Sequence, residues 1–192
     1  MIREIIIPIA KAVMCVLFRP KVHGKENIPK EGGYILAANH LSFWDPVFMG
    51  AFLPERKILF MAKAELFRFK PFGAVIRACG AVPVNRGSRD ASAILTAVDL
   101  LKSGGVLGIY PEGTRVRKGK KSNPKKGTVR MAEMAGVPIV PIHLDTKYKW
   151  FKKAHMIIGE PIYVGGEEKL SENELLDETK SLMDTIYSLK VK

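Results

Sequence analysis

Apolar residues along this chain fall into two rhythms. Tyr34-Ile35-Leu36-Ala37-Ala38, Lys57-Ile58-Leu59-Phe60-Met61, Ala81-Val82-Pro83-Val84, Val106-Leu107-Gly108-Ile109 and Val137 to His143 are short, nearly unbroken apolar runs, as buried strands require. A further strand is predicted from His155 to Val164, broken at Gly159. Between these runs the period changes to that of a helix. From Ser88, a suitable cap, apolar residues recur at Ala91, Ile94, Leu95, Val98 and Leu101, and Gly104-Gly105 ends the pattern. Lys126 to Gly136 reads as another helix, and Asp45-Pro46 reads as a helix start with Asp45 as its cap. The last helix is announced by a capping box, Ser171 with Glu174, and by Leu175, Leu182, Ile186 and Leu189 on one side. Strands alternating with helices predict an α/β fold, a single domain with a mixed central sheet flanked by helices.

The N-terminal stretch has a different character. Residues 5–18 are apolar apart from Lys11, with Arg3 before them and Arg19 and Lys21 after. A spanning helix needs about 20 apolar residues, so this stretch is short for crossing a bilayer. A signal peptide would be followed by small residues, whereas Arg19-Pro20-Lys21 follows here. The pattern suits a helix lying in the membrane interface, with a buried first helix of the domain as the alternative. The chain thus divides into residues 1–19, a membrane-associating helix, and residues 20–192, the main domain.

Composition adds a direction. The 31 basic and 19 acidic residues give a net charge of +12, which points to an anionic partner: lipid, nucleic acid or a phosphorylated substrate. The run Arg115 to Lys126 carries seven of the basic residues and no acid, and fits a lipid surface, nucleic acid or a solvated loop. No nucleic-acid motif accompanies it, and nucleic acid is not expected as a partner. Two cysteines, Cys15 and Cys79, make no disulfide framework, and the four histidines have no metal-ligand spacing, so neither a metal nor a bound cofactor is expected.

Three predicted strand ends carry polar residues of catalytic type: Asn39-His40 through Asp45, Asn85-Arg86, and Glu112 through Arg115. In open α/β sheets, ligands bind beyond the carboxyl ends of strands. An imidazole can take a proton from a hydroxyl near neutral pH, and a carboxylate on its other nitrogen would fix the tautomer. His40 and Asp45 are the pair of residues suited to this, though chance proximity also accounts for them. Arg86 and Arg115 have the guanidinium forks that suit phosphate, or are two surface arginines. Gly113 and Thr114 allow close approach of a ligand, and Glu112 could orient Arg115 or be a plain strand-end acid. The aromatic segment Leu66 to Phe72 could line an acyl groove, touch lipid or sit in the core.

Asn39-His40-Leu41-Ser42-Phe43-Trp44-Asp45-Pro46 resembles the first motif of the glycerophospholipid acyltransferase family, a His and an Asp separated by four residues. Tyr110-Pro111-Glu112-Gly113-Thr114-Arg115 resembles the third motif, Val137 to Ile142 the fourth, and Val82 to Arg86 is similar to the second, chiefly in its arginine. The resemblance covers residues 20 to 165, in order and spacing. It implies that His40 is a general base partnered by Asp45, and that an acceptor hydroxyl attacks an acyl thioester directly. It also implies that Arg86, Glu112, Gly113, Thr114 and Arg115 belong to the phosphate-binding side of the acceptor site. Asn85 stands where an acid often precedes the arginine, and Val116 where a serine often follows the third motif.

Members with a small single domain most often act on 1-acylglycerol 3-phosphate (lysophosphatidic acid), giving phosphatidic acid. The implied partners are membrane lipids, a lysophospholipid, and acyl-CoA or acyl carrier protein as thioester co-substrate. The implied location is the cytoplasmic face of a membrane, peripheral or monotopic. Glycerol 3-phosphate or another lysophospholipid is an alternative acceptor, and a non-enzymatic protein that binds anionic membranes is an alternative function.

Overall fold

Strand β2 (Tyr34–Ala38) is buried at every position, and this determines the architecture around it. Side chains alternate across a strand, so a strand buried throughout needs cover on both faces. The computed structural model describes residues 2–53, 56–78, 80–84, 91–116, 123–146, 148–166 and 168–191. In chain order the elements are α1 (Ile2–Phe18), β1 (Pro20–His23), β2, α2 (Asp45–Phe52), β3 (Ile58–Lys63), α3 (Lys70–Ala78), β4 (Ala81–Val84), α4 (Ala91–Lys102), β5 (Val106–Ile109), α5 (Gly127–Ala135), β6 (Ile139–Asp145), β7 (Ala154–Ile158) and α6 (Glu172–Ser188). One seven-stranded sheet has the order β1-β7-β6-β2-β5-β3-β4, parallel except where β7 returns antiparallel to β6. The expected mixed sheet flanked by helices is therefore present.

On one face of the sheet, Tyr34, Leu36 and Ala38 pack with Phe48 and Met49 of α2 and with Met14 and Phe18 of α1. On the other, Ile35 and Ala37 pack with Val98 and Leu101 of α4, Val129 and Ala132 of α5, and Leu175, Leu182 and Ile186 of α6. Ser171 caps α6 as its sequence requires: its hydroxyl accepts the Glu174 N–H, and the Glu174 carboxylate accepts the Ser171 N–H at 2.8 Å. Leu189 lies just beyond this helix rather than on it.

One local expectation changes, and two elements are added. Asp45 is the first residue of α2 rather than its cap; Trp44 holds that position and offers no side-chain bond. Strand β1 was not legible because its four residues, Pro20-Lys21-Val22-His23, make a half-exposed edge without an apolar run. Helix α3 begins inside the aromatic segment Leu66 to Phe72, for which no element is predicted; its Pro71 sits near the start, where a missing N–H costs nothing. The expected cap Ser88 lies outside the described residues.

Helix α1 has two unlike faces. Met14 and Phe18 are buried in the core, while Ile5, Ile9, Val13 and Val16 form an exposed apolar stripe on the other side. The helix is thus both a layer of the domain and a bearer of uncovered apolar surface. No helix among the described residues is long and apolar enough to cross a membrane.

Candidate active site

Parallel pairing of β2 with β5 sets Ala37 against Ile109, so the two chain segments that follow emerge on the same edge of the sheet. Asn39, the first residue past β2, is buried and acts as a substitute peptide. Its amide donates to the Leu144 carbonyl at 3.2 Å, and its carbonyl accepts the Leu144 N–H at 2.7 Å. This ties the turn to β6. Asn39→Ala strands both Leu144 groups in the interior, each at about 1–3 kcal/mol. Calorimetry is expected to show a melting temperature lower by about 5–15 °C.

His40 is held at four points. Its N–H donates to Glu112 Oε2 at 2.7 Å, and its carbonyl accepts the Val116 N–H at 2.9 Å. Its ring lies over Tyr110, centroids 4.1 Å apart and planes within 19°. The ring nitrogen Nδ1 is 2.9 Å from Asp45 Oδ2, where Asp45 is wholly buried and the His40 side chain is 17% exposed.

The Asp45 carboxylate collects four donors. Oδ2 also accepts the N–H groups of Leu41 and Ser42, both at 2.7 Å, and Oδ1 accepts the Tyr148 hydroxyl at 2.7 Å. A carboxylate surrounded by donors acts as an acceptor, so His40 Nδ1 is the nitrogen that donates to Asp45 and Nε2 is directed away from it. That is the arrangement of a general base oriented by a carboxylate.

Burial, reinforced by the Asp45 charge, raises the pKa of the Tyr110 and Tyr148 phenols. Tyr148 therefore remains protonated and donates to Asp45 throughout the working range of an imidazole.

Glu112 is buried, and both of its oxygens accept hydrogen bonds. One oxygen holds the His40 N–H and the other accepts the Tyr187 hydroxyl at 2.5 Å, which fastens α6 to the site. Its two bonds thus position His40 and do not reach Arg115. Gly113 turns the chain at φ 67°, a value that suits glycine, and a Cβ there would press on the Lys125 side chain at 3.1 Å. The Lys125 N–H donates to the Pro111 carbonyl at 2.8 Å, so this lysine returns to the site from the basic run. Thr114 and Arg115 are exposed beside it, and the Arg115 guanidinium lies over the Phe43 ring, 3.5 Å from its centroid. Arg86 lies outside the described residues; β4, which precedes it, runs parallel to β3 and ends on the same edge.

Lys126, from the same basic run, is spent elsewhere: it and Arg130 pair with Glu172 at the start of α6.

Sequence reasoning joined His40 to Asp45 but missed Tyr110 as the ring under His40, and Tyr148 and Tyr187 as partners of the two carboxylates. Lys125 was visible only as one of a run of lysines. Among the described residues no group of His, Cys, Asp and Glu could hold a metal.

Comparison with known proteins gives the family. The family model described as Acyltransferase matches residues 19–145. The 1-acyl-sn-glycerol-3-phosphate acyltransferase of Bacillus subtilis is 34% identical over 188 residues, covering 95% of this chain and 94% of its own length. That of Borreliella burgdorferi is 34% identical over 174 residues, covering 86% and 69%. Among solved structures, the 1-acyl-sn-glycerophosphate acyltransferase PlsC of Thermotoga maritima superimposes with a TM-score of 0.74 at 29% identity, covering 99% of this chain and 80% of that one. The chain belongs to the acyltransferase family and is an enzyme of that class.

Proposed function

We propose that this enzyme transfers a fatty acyl group from an acyl thioester to the free hydroxyl of 1-acylglycerol 3-phosphate, giving phosphatidic acid. The observation that carries the chemistry is the 2.9 Å contact of His40 Nδ1 with the buried Asp45, which leaves Nε2 to face the acceptor. Nε2 takes the proton of the acceptor hydroxyl as its oxygen attacks the thioester carbonyl. Asp45 stabilises the imidazolium so formed. Collapse of the tetrahedral intermediate breaks the C–S bond, and the imidazolium returns its proton to the leaving thiolate. No acyl-enzyme is needed. The acyl carrier is coenzyme A or acyl carrier protein.

The acceptor phosphate sits by Arg115, Thr114, the Gly113 backbone and Lys125; Arg86, implied by the family resemblance, lies outside the described residues. Glu112 serves the same site indirectly by fixing His40 against the third-motif loop. The names of the relatives supply the acceptor; the exposed guanidinium and ammonium groups supply its physical reason. The enzyme works at the cytoplasmic face of a membrane, peripheral or monotopic, with the exposed stripe of α1 in the lipid interface.

The test is thioester consumption with acyl-CoA or acyl carrier protein, against lysophosphatidic acid, glycerol 3-phosphate and lysophosphatidylcholine. Turnover is expected with lysophosphatidic acid. Arg115→Ala is expected to raise its KM by about 10–100-fold, the loss of one charged hydrogen bond, with kcat little changed. Turnover only with glycerol 3-phosphate or only with lysophosphatidylcholine overturns the assignment of the acceptor.

A further inference from the structure

Two aromatic side chains project from the loop between β6 and β7, where an ordinary surface turn would carry polar residues. Trp150 is 72% exposed and Phe151 is 64% exposed. Phe151 has φ 61°, the left-handed region that bulky residues avoid, and Tyr148 has φ 39°. A loop that keeps aromatics where Gly or Asn would be relaxed is holding them for a use. Lys149, Lys152 and Lys153 flank them, and with His155 and Asp145 they line an open cleft of about 480 Å³.

The same loop is tied in two directions. The Phe151 N–H donates to the Leu17 carbonyl at 2.7 Å, at the last turn of α1, and the neighbouring Val16 is one of the exposed apolar residues of that helix. Tyr148 packs edge-on against Phe18, centroids 5.3 Å apart, and its hydroxyl bonds Asp45. The aromatic tip therefore continues the apolar stripe of α1 and stands one side chain away from the carboxylate behind His40.

We propose that residues 148–153 are a second bilayer-contact element, separate from the outer face of α1, which inserts Trp150 and Phe151 among the acyl chains of an anionic membrane and sets Lys149, Lys152 and Lys153 against its phosphate headgroups. Tryptophan and lysine side by side are the pairing that membrane interfaces favour. The chemistry selects an anionic bilayer over a protein partner because three lysines without an acid among residues 149–153 meet a uniformly negative surface, and because the element is continuous with the stripe of α1. The inference rests on the membrane reading of α1 given above. It adds that the docking plane passes beside the catalytic pair, so an acceptor headgroup in that plane reaches Nε2 without leaving the surface.

The experiment uses the full chain and co-sedimentation with vesicles of phosphatidylcholine alone or mixed equally with phosphatidylglycerol. Three variants are compared: Lys149→Gln/Lys152→Gln/Lys153→Gln; Trp150→Ser/Phe151→Asn, where asparagine tolerates the positive φ; and Ile5→Ser/Ile9→Ser/Val16→Ser on α1. The lysine variant is expected to lose roughly tenfold or more of its partitioning, on the phosphatidylglycerol vesicles only. The aromatic variant is expected to lose partitioning on both vesicle types. Both should melt as wild type and turn over lysophosphatidic acid normally in detergent micelles, since none of these residues touches the site. If the two loop variants bind as wild type while the α1 variant falls off, the loop proposal is overturned and the α1 reading stands. If all three bind as wild type, both are overturned.

Discussion

Replacing His40 by alanine is expected to lower kcat by about a hundredfold to ten-thousandfold, the usual contribution of a positioned general base. The structure makes this a clean substitution. The backbone of residue 40 is clamped by Glu112 on its N–H and by Val116 on its carbonyl, so the turn keeps its place without the imidazole. Asp45 retains three of its four donors: Leu41, Ser42 and Tyr148. What is lost structurally is the ring stacked on Tyr110, worth about 0.5–1.5 kcal/mol, and one bond to Asp45, worth about 1.5–3 kcal/mol, together several degrees of melting temperature. Calorimetry and the thioester assay on the same preparation separate the two effects. A variant that melts only several degrees below wild type but has lost turnover places the chemistry on the imidazole. Full turnover without the imidazole would remove His40 from the mechanism.

The sequence carried the frame of this site because parallel strand ends are a one-dimensional signal. Apolar runs at residues 34–38 and 106–109 predicted β2 and β5, and the polar residues just past each run are neighbours once those strands pair. His40 and Asp45 are five residues apart, close enough for one turn to join them, although nothing but the bond itself shows that it does. The unread parts depend on distance along the chain. Tyr148 meets Asp45 across 103 residues and Tyr187 meets Glu112 across 75, and in neither case does a local pattern mark the tyrosine. Glu112 illustrates the limit well. Its place in the third motif was plain, but the groups that its two oxygens accept come from the first motif and the last helix.

Helix α1 shows the same division. Its apolar composition was legible, and two destinations, the interface and the core, were both consistent with it. The folded chain puts one face in the core, with Met14 and Phe18, and leaves Ile5, Ile9 and Val16 of the other exposed. Deleting residues 1–18 would therefore remove core side chains along with exposed ones. Serine substitutions on the outer face are the sounder probe of attachment.

Asp45→Asn is expected to lower kcat by about a thousandfold with little loss of stability. Asparagine keeps one acceptor oxygen. Placed where Oδ2 stands, it still accepts from His40 Nδ1 and from the N–H groups of Leu41 and Ser42. Its amide then faces Tyr148, whose hydroxyl oxygen can accept as well as donate. The His40 tautomer survives, and only the negative charge is gone. A unit charge about 4 Å from an imidazolium is worth about 4 kcal/mol at an effective dielectric constant of about 20, which corresponds to about a thousandfold in rate.

Asp45→Ala differs in kind. It leaves the Leu41 and Ser42 N–H groups and the Tyr148 hydroxyl without their buried acceptor, at about 1–3 kcal/mol each, and a melting temperature lower by roughly 10 °C or more is expected. The two variants together divide the role of the carboxylate. Loss of turnover in both, with loss of stability only in the alanine, assigns the charge to catalysis and the lone pairs to the fold. Wild-type turnover in the asparagine variant would mean that no imidazolium needs stabilising, and a base other than His40 would then have to be sought. An asparagine variant as unstable as the alanine one would mean that Tyr148 cannot reverse its hydrogen bond, and the charge itself would then belong to the fold.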